Sequence, residues 1–157
     1  MRELTEILHH SAHLRCDAHK AFEMFTKNEL IESWLIKPYS EGGHAKIRPN
    51  LGGSYELFWD PEHRNRDSTL GCRITAIVPD RLLAFDWKGP QEYEKFMNLD
   101  PLTHVVVSIF PDGGTSTEVH LVHSGWGNST DWNAARDYFK KAWASAFQNL
   151  EHIVNGN

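Results

Sequence analysis

The feature that most constrains this chain is a long amphipathic segment near its C-terminal end. Between Asp131 and Ile153, apolar residues recur at steps of three and four. The residues of this stripe are Trp132, Ala135, Phe139, Ala142 or Trp143, Ala146, Leu150 and Ile153. The spacing predicts a helix with one apolar face, about 35 Å long at 1.5 Å per residue. Such a face has to be buried against a second layer of structure.

Most of the preceding chain has the two-residue period of β-strands. The segment "EILHHSAHLRC" (Glu6–Cys16) alternates polar and apolar residues, and "THVVVSIFP" is rich in β-branched residues. Gly52-Gly53, Pro79-Asp80 and the sequence "DGGT" predict tight turns between later strands. Because strands joined by short turns pair antiparallel, the sequence predicts an antiparallel sheet as the partner of the helix.

Two short helical stretches follow the first strand. Asp17 is a typical N-cap residue, and Ala18, Ala21 and Phe25 follow it at helical spacing. A second stretch opens at Asn28 and ends at Pro38, because the residue before a proline avoids the α conformation. The segment 88–101 is compatible with either a loop or a short helical turn.

The predicted fold class is therefore α+β. One strand, two short helices and about six consecutive strands precede the long helix, and the economical arrangement is a curved antiparallel sheet wrapped around it. A length of 157 residues predicts one domain, 1–157. A chain of this length buries enough surface to form a core without disulfide bonds or structural metals.

Charge and composition exclude several classes of partner. A formal net charge of −5 is the reverse of the basic face that a general nucleic-acid binder presents. No apolar run reaches the roughly 18 residues of a membrane span, and the first residues lack the apolar core of a secretory signal. Cys16 and Cys72 are far apart in the sequence, which favours two reduced thiols and a cytoplasmic location.

An ordered set of short motifs resembles a known family. The chain contains "DAHKAFEMFT", Trp34 with Pro38, "GGSYEL", "RLLAFDW" and "HLVHSGW", and it closes with a "W..AF.NL" pattern. Together these resemble the family related to the C-terminal domain of the activator of the heat-shock-protein-ninety ATPase. That family lies within the START-like, birch-pollen-allergen-like (SRPBCC) superfamily, and the resemblance spans nearly the whole chain.

The resemblance implies a helix-grip fold with a cavity between the sheet and the C-terminal helix. In the superfamily such cavities commonly hold lipids, polyketides, sterols or other apolar molecules, and some members are enzymes. The family also implies a link to chaperones and the stress response, although the larger co-chaperone has an N-terminal domain that we expect this chain to lack.

Residue parity along the strands and the helix stripe predicts which side chains line that cavity. An aromatic lining with a few polar groups is typical of sites for small apolar or aromatic ligands. The predicted lining residues are Trp34, Tyr55, Leu57, Trp59, Leu83, Phe85, Trp87, Val119, Leu121, His123, Trp126, Phe139 and Trp143. The alternative is that these side chains fill the interior themselves.

The segment "HLVHSGWGNSTDW", which starts at His120, allows both a structural corner and a ligand contact by His123. His120 and His123 are three apart in a strand, so we expect them on opposite faces. His9 and His13 are about 13 Å apart along a strand, too far to chelate one ion, and no metal-binding spacing appears. We therefore predict no metal and no cofactor.

Catalytic motifs are weak. Ser124 follows His123 but lacks a nucleophile elbow, while Glu56, Asp86 and Glu118 lie on parities that face solvent. The leading hypothesis is a binding protein for a small hydrophobic or aromatic molecule. The alternatives are a co-chaperone-like interaction module, and a cyclase or hydrolase that uses His123 or His104 as acid–base group. The sequence leaves monomer and homodimer open.

Overall fold

The alternating N-terminal segment forms β1, Leu8–Leu14, in the computed structural model, which describes residues 6–156. The strand is shorter than the predicted Glu6–Cys16. Asp17 then caps α1, Ala18–Thr26, because its carboxylate accepts a 2.8 Å hydrogen bond from the backbone nitrogen of Lys20. The predicted N-cap is therefore confirmed.

The second helical stretch has two parts. It begins as α2, Asn28–Ile31, and widens into a π-helix at Glu32–Ile36, just before Pro38. The wider turn places Trp34 in the interior, where its indole nitrogen donates to the carbonyl of Met24 at 2.9 Å. The sequence predicted the helix but not its change of winding.

Six strands and a short connecting helix follow. The strands are β2 (His44–Ile47), β3 (Tyr55–Phe58), β4 (Ile74–Val78), β5 (Leu82–Trp87), β6 (Thr103–Asp112) and β7 (Ser116–Ser124). Between β5 and β6, a 3₁₀ turn at Gln91–Tyr93 runs into α3, Glu94–Met97. The segment 88–101 thus contains helical structure, one of the two forms that the sequence allowed.

The strands pair antiparallel throughout. The main sheet has the order β1-β7-β6-β5-β4, and β2 and β3 form a separate hairpin. A bridge between Ser54 and Arg73, with a 2.8 Å bond from the nitrogen of Ile74 to the carbonyl of Gly53, joins that hairpin to the strand leading into β4. The hairpin therefore extends the sheet beyond β4.

The amphipathic segment forms α4, Thr130–Asn155. The Ser129 hydroxyl accepts from the backbone nitrogen of Trp132 at 3.2 Å, and Gly156 ends the helix in the left-handed region at φ 75°. The predicted helix began at Asp131, so the observed helix starts one residue earlier. The buried residues are Ala135, Phe139, Trp143, Ala146, Phe147 and Leu150, which confirms an apolar stripe.

One hydrophobic cluster unites these layers. The Phe147 ring on α4 packs edge-on against Phe25 of α1 at 6.3 Å and against Trp34 at 6.0 Å. Val105, Val107 and the inward residues of β7 are buried beneath the helix. The α+β class and the helix-grip arrangement are confirmed. No helix within residues 6–156 has the length and apolar character to cross a membrane.

Candidate ligand-binding cleft

A partly open cleft of about 510 Å³ lies beside the N-terminal half of α4. Its other walls come from the end of the π-helix, the residue after β3, and the end of β5 with the segment that follows. The lining residues are Leu35, Tyr39, Ser40, Trp59, Asp67, Ser68, Trp87, Lys88, Gly89, Pro90, Glu92, Tyr138, Phe139, Ala142 and Trp143. This volume lies in the range typical of small-molecule sites.

Three tryptophans form the aromatic walls, and Trp87 lies at their centre. Its ring centroid is 5.2 Å from that of Trp143 and 6.2 Å from that of Trp59. Phe139 meets Trp87 edge-on at 6.4 Å. Aromatic faces held at such angles offer both stacking and edge contacts to a ring placed between them.

Hydrogen bonds fix two of the three indoles. Trp59 donates from Nε1 to the carbonyl of Leu35 at 3.0 Å, and Trp143 donates from Nε1 to Nδ1 of His123, also at 3.0 Å. The Nε1 of Trp87 is buried and has no hydrogen-bond partner within residues 6–156. A buried donor without an acceptor costs about 1–3 kcal/mol, so the central wall of the cleft carries an unmet hydrogen-bonding group.

The loop after β5 reaches the cleft because Gly89 has no side chain. A Cβ at Gly89 would lie 2.6 Å from the sulfur of Met97, so any larger residue would displace the Met97 side chain on α3. Asp67 anchors the same loop from the opposite side by accepting from the nitrogen of Gln91 at 2.8 Å. Asp67 has φ 49°, a left-handed conformation that Asp and Asn tolerate better than most residues.

The rim of the cleft is polar. The hydroxyl of Tyr39 contacts Ser145 at 2.7 Å, and the hydroxyl of Ser40 donates to the carbonyl of Trp59. Burial raises the pKa of the Tyr138 hydroxyl, and the charges of Glu92 and Asp67 raise it further. The carboxylates therefore create a negative potential where the aromatic walls meet solvent.

His123 lies behind the aromatic wall rather than in the cleft. Its Nδ1 accepts from Trp143, so its proton is on Nε2, which donates to the Thr103 hydroxyl at 2.9 Å. Burial holds the pKa of the imidazole well below its usual range, and His104 and His10 lower it further. A neutral histidine with both nitrogens bonded positions Trp143.

Comparison with known proteins agrees with this architecture. The family model described as "Activator of Hsp90 ATPase homolog 1-like protein" matches residues 15–155. This chain belongs to that family.

Solved structures of other proteins share the whole fold. A protein of Mesorhizobium loti has a TM-score of 0.71 at 19% identity, with 97% of this chain and 98% of that one covered. An HSP90 activator of Plasmodium falciparum has a TM-score of 0.70 at 15% identity, with 97% of each chain covered. The Aha1 dimer of Colwellia psychrerythraea has a TM-score of 0.60 at 17% identity, with 96% of each chain covered. Comparison with curated proteins gave no match.

The structure brings four of the thirteen predicted lining residues to the cleft. These are Trp59, Trp87, Phe139 and Trp143. The other nine do not line it: Trp34, Tyr55, Leu57, Leu83, Phe85, Val119, Leu121, His123 and Trp126 are buried in the interior. Ligand contact by any of the thirteen stays a prediction.

No histidine of residues 6–156 lines the cleft. His123 is on the inner face of β7 and His120 on the outer, as predicted, with His120 bonded to His9 at 2.8 Å and to Glu118 at 3.1 Å. His104 contacts the Thr75 hydroxyl at 2.6 Å. Within residues 6–156, no group of three or more His, Cys, Asp or Glu residues is arranged to hold a metal ion.

Sequence reasoning missed the polar rim. Asp67 and Glu92 lie in connecting segments that carry no periodic signal, and Tyr39 lies just beyond Pro38, where the predicted second helical stretch ends. Tyr138 directly precedes Phe139, a predicted lining residue, so it lies at the edge of the apolar helix stripe. This position was the sequence signal that could have placed Tyr138 at the cleft.

Proposed function

We propose that this family member binds a small hydrophobic or aromatic molecule in the cleft beside the N-terminal half of α4. The observation that carries the proposal is the wall formed by Trp59, Trp87 and Trp143 around a volume of about 510 Å³. Aromatic walls with a few polar groups at the mouth are the usual composition of a small-molecule site.

The position of the walls also supports binding. The three indoles come from different elements, and hydrogen bonds to Leu35 and His123 hold Trp59 and Trp143 in place. A pre-organised wall loses little side-chain freedom when a ligand binds, which reduces the entropic cost of binding.

A cleft-filling substitution tests the proposal. Ala142 lines the cleft from α4, whereas Ala144 on the same helix is exposed. In Ala142→Leu the added side chain would occupy the cleft, and we expect the affinity for N-phenylnaphthylamine, a neutral aromatic dye, to fall at least about tenfold, or about 1.4 kcal/mol.

Ala144→Leu is the matched control, because it adds the same atoms to the same helix outside the cleft. Saturable dye fluorescence with one site per chain in the wild type and in this control supports the proposal. Absence of saturable binding to the wild type, or equal binding to both variants, would contradict it.

A co-chaperone-like role is the second candidate. It is favoured by the match to the family model and by the full-length similarity to an HSP90 activator. Addition of this protein to an HSP90-type chaperone would raise the chaperone's ATPase rate if the role extends to this chain. An unchanged rate, together with no co-purification, would remove it.

The enzymatic alternative has less support. His123 contacts Thr103 and Trp143 rather than a carboxylate, and neither His123 nor His104 lines the cleft. The cytoplasmic location remains a prediction. The oligomeric state is still open between monomer and homodimer, and one structural relative is a dimer.

A further inference from the structure

The charges at the mouth of the cleft indicate what kind of small molecule it accepts. Asp67, Lys88 and Glu92 are the charged residues that line it. The ammonium of Lys88 donates to the backbone carbonyl of Leu70 at 2.7 Å, so its head group is held at that carbonyl and its aliphatic stem lines the cleft. The carbonyl does not neutralise the ammonium, but one cation against two carboxylates still leaves the mouth with a net negative charge.

The carboxylates of Asp67 and Glu92 carry the negative charge at the mouth. None of the ion pairs between residues 6–156 involves Asp67 or Glu92. Asp67 accepts one bond from the nitrogen of Gln91, and Glu92 is exposed at the mouth. Both carboxylates raise the pKa of Tyr138, whose ring lines the cleft, so their field extends across the opening.

Behind this negative mouth lie the indole rings of three tryptophans, Trp59, Trp87 and Trp143. Trp is the side chain that most strongly attracts a cation placed over its ring, and the attraction grows as the cation loses water. The carboxylates and the indoles come from different elements, yet both favour a ligand with a positive charge. An anionic ligand would meet repulsion from Asp67 and Glu92 as it entered.

We propose that the ligand of this cleft is an organic amine, with an apolar or aromatic body against Trp59, Trp87 and Trp143 and its ammonium at the rim between Asp67 and Glu92. This inference rests on the proposed function, because it specifies the charge of the molecule that the same cleft binds.

Three probes that share one ring system and differ in charge test the inference. Naphthylmethylammonium is cationic, naphthylmethanol is neutral and naphthoate is anionic at neutral pH. In calorimetric titrations at low salt, we expect the cation to bind about fivefold more tightly than the alcohol, and naphthoate to bind most weakly. Added salt should reduce the preference for the cation, because the rim charges are partly screened.

A charge-removing double variant identifies the residues responsible. Asp67→Asn with Glu92→Gln keeps the shape of the rim, because Asn also tolerates the left-handed backbone and its amide oxygen can still accept from Gln91. We expect this variant to bind naphthylmethylammonium and naphthylmethanol equally. Glu29→Gln with Asp112→Asn, two exposed acids outside the cleft, is the matched control and should keep the wild-type preference.

The outcomes separate this inference from the proposed function. Equal binding of all three probes to the wild type, or tightest binding of naphthoate, would overturn the preference for amines while leaving a ligand-binding cleft. A preference that persists in the Asp67 and Glu92 variant would also overturn it. Failure of every probe to bind the wild type would count against the proposed function, and the inference would fall with it.

Discussion

His123 shows how one side chain connects the core of this protein to its cleft. Its two nitrogens bridge the indole of Trp143 and the hydroxyl of Thr103, and that hydroxyl lies 3.5 Å from the carbonyl of Trp87. The ring of Trp126 packs against the imidazole at 4.3 Å. Because Trp143 lines the cleft, the tautomer of a fully buried residue sets the position of a wall that a ligand would touch.

The low pKa of His123 predicts a loss of stability in acid. The folded state keeps this imidazole neutral, whereas in the unfolded chain it takes up a proton near pH 6.5. The stabilisation is therefore present above the unfolded pKa and is lost as the pH falls below it. Between about pH 7.5 and pH 5.5 we expect the free energy of unfolding to fall by up to about 1.4 kcal/mol through this residue alone, the limit for an imidazole that stays neutral in the folded state.

Urea unfolding of the wild type and of His123→Gln at both pH values measures this contribution. The variant removes the titrating group but keeps a donor and an acceptor, so His10, His19 and the other ionisable residues contribute equally to both proteins. The difference between the two pH dependences isolates His123. An identical pH dependence in both proteins would contradict a neutral, buried imidazole.

At the scale of elements, α4 has two roles along its length. Its C-terminal half packs against α1, the π-helix and β1 through Phe147, Leu150 and their neighbours. Its N-terminal half presents Tyr138, Phe139, Ala142 and Trp143 to the cleft. The C-terminal half is thus enclosed by the core, whereas the N-terminal half packs on the core through Ala135 and Phe139 and also forms a wall of the cleft.

Removal of one aromatic ring, that of Phe147, tests how tightly the C-terminal half of α4 is packed in the core. Phe147 is 3% exposed, so Phe147→Ala should lower the free energy of unfolding by about 3–5 kcal/mol through lost burial and the cavity it leaves. The exposed neighbour Gln148 gives the control, and Gln148→Ala should change stability by less than about 0.5 kcal/mol. Equal effects in chemical denaturation would mean that α4 is not clasped by the core.

The sequence predicted the elements of the fold better than it predicted the cleft. The α4 stripe and the strand alternation are set by local periodicity, so the helix, the antiparallel sheet and the inward faces could be inferred. Parity assigns a side of the sheet but no position along it. Tyr55, Leu57 and Trp59 share one parity, yet Trp59, just beyond the end of β3, is the one that lines the cleft.

The same reasoning explains β5 and the rim. Leu83 and Phe85 are buried in the middle of β5, and Trp87 reaches the cleft because it ends the strand. The two rim acids lie in connecting segments whose positions depend on close packing of Gly89 against Met97 and on the bond from the nitrogen of Gln91. Neither contact has a sequence periodicity, so the charges at the mouth could not be anticipated.

The whole molecule is a helix-grip protein of the activator of Hsp90 ATPase homolog 1-like family, with a core that is filled over most of the sheet. The cleft described above lies at one end of the helix, where β3 and β5 finish. A ligand would therefore enter between elements rather than replace the core, and it would bind without separating α4 from the sheet.

The six tryptophans offer the most direct test of this account. Each indole gives its own nitrogen–proton signal in a heteronuclear NMR spectrum. Trp59, Trp87 and Trp143 line the cleft, whereas Trp34, Trp126 and Trp132 do not. On titration with naphthylmethylammonium, we expect the first three signals to shift to saturation and the other three to remain nearly unchanged. Saturable shifts of Trp34 and Trp126 instead, or no shift of any indole, would contradict a ligand site at this end of the helix.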